Sequence, residues 1–444
     1  MKIYRRASGL AAGFVFLAAK TVSATPQVGV SGDIGWMLMS TALVILMTPA
    51  LAFFYGGLVR PKNALNTMMM SFVSLGFVSV CWCVVGYSLA FGEGSAIVGD
   101  FSRVFLRGVT LESGDGIPEL LFMAFQGTFV IITAALISGA VVERMRFGPY
   151  LAFISLWSLL VYAPVAHWVW GGGWLATTFT TLDFAGGTVV HINAAAAAVV
   201  AALVLGPRKD YGRQALLPHN VPFVLLGAGL LWFGWFGFNG GSALAANGTA
   251  VLALTNTMLA PAGTLVVWTL LDQFRARQIT AVGAATGIVV GLVAVTPAAG
   301  FVSPMSALLI GSIAAVPSYF AIIWRAKTRL DDSLDVMAAH GIGGTVGALL
   351  TGVFALAAWG GADGLIGGNA MQPLVQLLGI VSTIAYSATM TFILLKGINK
   401  FAKIRADSRM EGVGLDVSLH SEEAYTDGEG AILLTEVELN GHRN

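Results

Sequence analysis

The sequence predicts an all-α polytopic membrane protein with eleven transmembrane helices, its N-terminus outside and its C-terminus inside. Two inverted five-helix repeats plus one additional helix make up the expected architecture. Three observations predict it. Hydrophobic residues form 56% of the 444 residues and charged residues only 11%, against about 25% charged in a soluble domain, so a water-solvated surface cannot be assembled from this chain. Apolar runs long enough to cross about 30 Å of hydrocarbon recur along it. The basic residues between those runs fall on alternate loops, the pattern left when positive loops stay in the cytoplasm. The 55 glycines follow no collagen period and suit close helix approach within a bilayer. A net charge of +1 gives no basis for a nucleic-acid partner. The lipid bilayer is the partner that the composition demands.

Residues 1–24 read as a signal peptide. Lys2, Arg5 and Arg6 form a positive start, residues 10–19 a short apolar core, and Val22, Ser23 and Ala24 a small-residue cleavage site. Residues 25–403 form the transmembrane domain. Its spans are expected near 33–57, 62–91, 118–142, 148–170, 187–205, 220–240, 247–271, 279–297, 302–324, 336–358 and 373–399. Arg60 and Lys62 follow the first span, Arg144 and Arg146 the third, and Arg208, Lys209 and Arg213 the fifth. Arg275 and Arg277 follow the seventh, and Arg325, Lys327 and Arg329 the ninth. These loops are expected to present a basic cytoplasmic face. The second-to-third loop breaks the pattern, with Arg103 and Arg107 among several acids. Spans one to five and six to ten then form the repeats, with the eleventh outside the symmetry, and a substrate site belongs at their interface. Residues 404–444 are polar and acidic and cannot bury a core, so they form a cytoplasmic regulatory tail, disordered or docked.

Cys81 and Cys83 lie two residues apart. On a helix they point to nearly opposite sides, so they read as small buried hydrophobes and not as a metal or disulfide pair. The chain has no zinc spacing, no phosphate-binding glycine loop and no nucleophile elbow. No catalytic residue, metal or cofactor is expected.

Two histidines carry the functional signal. His191 lies in DFAGGTVVHINAAAAAVVAALVL and His340 in DVMAAHGIGGTVGALLTGVFAL. An ionisable group at membrane depth is costly and is functional by default. A lone one is more simply a hydrogen-bonded bundle residue, but two at matching places in two halves point to a shared pathway. Each trails an aspartate, Asp183 by eight residues and Asp335 by five. Aromatic residues crowd the outer ends of spans four and six. Trp168 and Trp174 read as headgroup anchors. Trp170 differs, because three glycines follow it and would leave its ring face open. A π-face beside a hydroxyl suits a small cation shedding water, and a desolvated cation–π contact is worth about 2 kcal/mol.

The segments HWVWGGGWLA, LDFAGGTVVHINAAAA, GWFGFNGGSA, FQGTFVIITAALISGAVVERMRF, VTPAAG and DVMAAHGIGGTVG together resemble the Amt/Mep/Rh ammonium transporters, on the bacterial Amt branch. The resemblance runs from the first span to Tyr425. It implies an outer ammonium-recruitment site at Trp170, Ser242 and Phe129 with Asp183 close by. Asp183 precedes the start of span five, where it can cap free backbone N–H groups. The resemblance further implies a stacked phenyl gate of Phe129 and Phe238, a pore and proton-relay pair of His191 and His340, and Thr296 on the cytoplasmic side of the pore. Homotrimers in the cell (inner) membrane are implied as well. The segment from Gly414 to Tyr425 is similar to the family's C-terminal motif, which helps bind a PII signalling protein; Val413 and Ser421 stand where an acid and a glycine are usual. A basic face would attract an acidic loop of such a partner.

The mechanism implied rests on solvation. Ammonium and potassium are close in size, but ammonium donates hydrogen bonds and potassium donates none. An amine pKa of about 10 falls by several units on burial, so the cation should deprotonate and cross as ammonia. The alternative is an ammonium sensor signalling through its tail, although this tail is short for a signalling domain. The Trp170–Ser242 site argues against a Rh-like gas channel, and nothing supports an enzyme.

Overall fold

The structure, a computed structural model, describes residues 31–112 and 116–425. The expected signal peptide and the chain beyond Tyr425 lie outside the described residues. Among the described residues the regular elements are helical, apart from an isolated bridge pairing Met145 with Arg405. In hydrocarbon no water can satisfy the backbone, so long apolar runs must close their hydrogen bonds internally as helices.

Among the described residues ten helices are long and apolar enough to cross a membrane. They are α1 Gly32–Leu58, α2 Pro61–Phe91, α3 Glu119–Ser138, α4 Phe147–Thr177, α5 Gly187–Leu205, α6 Val221–Gly241, α7 Gly248–Ala276, α9 Pro304–Arg325, α10 Met337–Phe354 and α11 Gln372–Phe401. Between α7 and α9 lies α8, Ala281–Val295, with 15 residues. At 1.5 Å per residue it reaches about 22 Å, short of a full crossing. This is the eighth expected span, and tight turns rather than helix follow it at residues 296–300.

The pairing of α1 with α6 shows why glycine is abundant. A Cβ at Gly227 would collide with Phe54, at Gly234 with Met47, at Gly237 with Leu43, and at Gly241 with Ser40. As numbers rise along α6 they fall along α1, so the two helices run antiparallel in close contact. The histidine segments match in a second way. Both α5 and α10 open with a wide π turn, over Gly187–Ile192 and Met337–Ile342, and each turn contains its histidine. Such turns are rare and concentrate at functional sites.

The arginine-bearing loops converge on one end of the bundle, where part of their charge is paired, while Arg213, Arg275, Arg277, Lys327 and Arg329 stay exposed. Arg60 pairs with Glu143 at 3.0 Å and Asp210 at 2.9 Å, and Arg208 pairs with Glu143 at 2.7 Å and Asp331 at 2.8 Å. Arg325 pairs with Asp335 and Arg146 with Asp407. Arg144 is fully buried and donates to the carbonyls of Ala140, Val142, Gly206 and Asp331. A guanidinium taken out of water needs such partners, and their proximity consumes its charge.

The tail is docked as far as Tyr425. Its helices are α12, Ser408–Val413, and α13, Leu415–His420. The Asp416 carboxylate accepts the backbone N–H groups of Leu65 at 3.0 Å and Asn66 at 2.7 Å, capping the start of α2. Leu415 N–H donates to Asn63 Oδ1 at 2.8 Å, and the Lys209 N–H donates to Glu411 at 3.0 Å. Gly414 has φ +122°, and a side chain there would meet Lys62. Ser421 closes α13 in the left-handed region at φ +57°, where glycine carries no Cβ penalty. Ser421→Gly should therefore tighten the docked tail by about 0.5–1 kcal/mol. Hydrogen exchange of the α13 amides checks this; an unchanged or faster exchange in the glycine variant would count against it.

Candidate functional site

Away from the arginine-bearing loops, a cavity of about 330 Å³ is lined by Trp170, Ser242, Phe129, Phe122, Gln126, Val169, Phe184 and Leu244. Three of the four expected recruitment residues thus share one space. Trp170 donates its indole N–H to the Asp183 carbonyl at 2.9 Å and meets Phe129 edge-on at 6.1 Å. Ser242 donates its hydroxyl hydrogen to the Phe238 carbonyl at 2.9 Å, so its lone pairs are left to accept. The three glycines after Trp170 act differently from the expectation. Side chains at Gly171 and Gly173 would collide with Ala90, His167 and Trp168, and Gly172 has φ +87°; they permit a tight backbone turn. Trp168 is also no headgroup anchor. It is 6% exposed, and its indole N–H donates to the Ile97 carbonyl at 2.7 Å.

Phe129 and Phe238 close the floor of this cavity. Their rings stack at 4.2 Å with 26° between planes, and both are buried. Beneath them His191 and His340 face each other, Nδ1 to Nδ1 at 3.2 Å, with ring centroids 5.2 Å apart. At that contact one Nδ1 carries the hydrogen and the other accepts it. Among the described residues the His191 Nε2 has no hydrogen-bond partner. The space beside the pair is only about 10 Å³, walled by Leu51, Ile132, Leu136, Leu231, Trp235 and Phe238. That is about the least volume that admits a water-sized molecule. His340 also lines a second cavity, of about 290 Å³, with Tyr55, Tyr211, Arg208, Arg325, Ser333 and Asp335.

Asp183, the fourth expected residue, does not line the upper cavity. Its carboxylate faces into the protein and accepts four backbone N–H groups: Gly186 at 3.0 Å and Gly187 at 2.6 Å on Oδ1, Thr188 at 2.9 Å and Val189 at 3.0 Å on Oδ2. Burial pushes its carboxyl up to about 6, against the opposing pull of these amides. Four N–H donors on its two oxygens favour the ionised form. In the second half the matching cap is not Asp335, which pairs with Arg325. It is Asp332, whose Oδ2 accepts the Met337 N–H at 2.6 Å. Sequence reading passed over this residue. The signal was the spacing, since both caps lie eight residues before their histidine.

Thr296 stands apart from the cavity at the arginine-bearing end. It follows α8 at the end that also carries Asp183: the adjoining Pro297 carbonyl accepts the Phe184 N–H at 3.1 Å. The odd-numbered helices run toward the arginine-bearing loops and α8 runs the other way, so its last residue cannot reach that mouth.

Ten apolar helices among the described residues, around two cavities and a buried histidine pair, define a multi-pass membrane protein. The family model for the Ammonium Transporter Family matches residues 35–425, and the chain belongs to that family, a transport family rather than an enzyme family. It is 49% identical to an ammonium transporter of Aquifex aeolicus, over 89% of this chain and 93% of that one. The crystal structure of Saccharomyces cerevisiae Mep2 superimposes with a TM-score of 0.80 at 36% identity, covering 85% of this chain and 88% of the other. A structure described as a sensor Amt protein superimposes with a TM-score of 0.82 at 30% identity, covering 87% and 98%.

Removing the Asp183 cap strands four amides. Asp183→Ala should abolish transport and cost at least about 2 kcal/mol of stability. Asp183→Asn keeps a single acceptor oxygen and should fall between alanine and the parent. Melting in detergent alongside transport assays checks both; an alanine variant that melts and transports like the parent would remove the cap from the account.

Proposed function

We propose that this protein recruits NH4+ in the cavity of Trp170, Ser242 and Phe129, deprotonates it, and conducts NH3 between His191 and His340 into the cytoplasm, with the proton moving separately. One observation carries the reading. Phe129 lines the upper cavity and stacks on Phe238; Phe238 and both histidines line the narrow space; His340 lines the lower cavity. These residues form one file through the bundle. An ion held in the apolar constriction would cost several kcal/mol or more, whereas neutral ammonia fits it and can exchange hydrogen bonds with ring nitrogens.

The proposal extends to topology. The Trp170 end faces outward and the arginine-bearing end inward, with α8 and the turns after it acting as an eleventh span between two inverted repeats. Residues 1–24 are a signal peptide, and homotrimers reside in the cell inner membrane. A PII-type partner approaching the inner face would meet the docked tail together with the exposed Arg213, Arg275, Arg277 and Arg329. The likeness to a sensor protein supports a second reading, ammonium sensing through the tail; ammonium binding without current would favour it.

In proteoliposomes an ammonium pulse should evoke current and a matched potassium pulse none. Comparable potassium current in the intact protein would rule out deprotonation as the basis of selectivity. His191→Ala and His340→Ala should each lower ammonium current and loosen discrimination against potassium. Histidines with only a packing role would instead lower the melting temperature and leave selectivity as it was.

A further inference from the structure

We infer that Thr296 is a positioning residue for the histidine pair and acts through Trp235. The inference rests on the reading that His191 and His340 form the conducting constriction. Thr296 is fully buried. Its hydroxyl hydrogen goes to the Leu292 carbonyl at 2.7 Å, and its oxygen accepts the Trp235 indole N–H at 2.9 Å. A buried indole N–H requires a partner. Here the partner comes from the turn after α8, so the bond fixes the plane of the ring.

That plane matters because it lies on His191, with centroids 5.3 Å apart and 22° between planes. His340 lies edge to edge with His191 at the same interplanar angle, giving a run of three flat rings. Among the described residues the only polar contact of the His191 side chain is the one to His340. No hydrogen bond to the scaffold sets its orientation; the indole packed against it does. The other edge of Trp235 meets Phe238 at 5.4 Å, so the same ring borders the phenyl gate. The turn carrying Thr296 is itself tied to the start of α5 by the Phe184 N–H on the Pro297 carbonyl. The tether therefore refers Trp235 to the segment that bears His191. A phenylalanine would fill the space but could not be held this way.

The test uses Thr296→Val, Thr296→Ser, Trp235→Phe and the double variant in the full chain. Two measurements are made: ammonium current, and ¹⁵N spectra of the ring nitrogens, with six histidines in the chain to assign. Thr296→Val should lower maximal current roughly tenfold and shift the His191 and His340 Nδ1 signals. The half-saturating ammonium concentration, set in the upper cavity, should stay put. Thr296→Ser should restore both measurements, and in the Trp235→Phe background Thr296→Val should add nothing. If Thr296→Val does not fold, Trp235→Phe alone should give the same Nδ1 shift. Unchanged Nδ1 signals overturn the inference, whether or not the current falls. His191→Ala in the same assay separates the two readings: unaltered current there would overturn the conducting role of the pair, not the tether.

Discussion

The Asp183 carboxylate holds the first four N–H groups of the α5 segment, and the site geometry is built outward from that cap. A helix start leaves its first amides without partners, and inside a membrane protein no water supplies them. With the carboxylate in place, the chain can enter α5 through a π turn and deliver His191 to the middle of the bundle. Trp170 uses the same residue, donating to its carbonyl. One aspartate thereby relates the wall of the upper cavity to His191. Asp332 holds the corresponding turn before His340, and the two caps bring rings 149 residues apart in the chain into hydrogen-bonding contact.

The constriction combines little space with little polarity. Its walls are leucine, isoleucine and aromatic side chains, and the polar atoms offered there are histidine nitrogens. A charge in such surroundings loses hydration that two neutral imidazoles cannot replace, whereas a small neutral molecule loses far less. Shape and solvation therefore act in the same direction.

At the opposite end the structure depends on charge. Glu143, itself in the left-handed region at φ 66°, accepts hydrogen bonds from Arg60, Asn63 and Arg208. Arg208 continues to Asp331, adjacent to the cap of the second histidine segment. Asn63 receives the tail at Leu415. Buried ion pairs add little net stability, because desolvation offsets attraction. Their geometric demands are strict, however, and here they hold four loops and the tail in register.

The sequence by itself determined the class of protein, the approximate spans, the two histidines and the family. It also placed Asp183 at a helix start. These are legible because hydropathy, loop charge and local motifs act over a few residues and need no knowledge of the rest of the chain. Tertiary structure alone decided which residues meet. Asp332, not Asp335, caps the second histidine segment, because Asp335 lies within reach of Arg325. Thr296 lies beside Trp235 and away from the arginine-bearing mouth, because α8 runs toward the other end. Arg60 and Arg208, which read as part of a basic face, are paired with acids distant in sequence, Glu143 and Asp331 among them. Each of these outcomes depends on which side chains packing brings within about 3 Å, and hydrogen bonds and ion pairs of that range follow spatial neighbours rather than chain order.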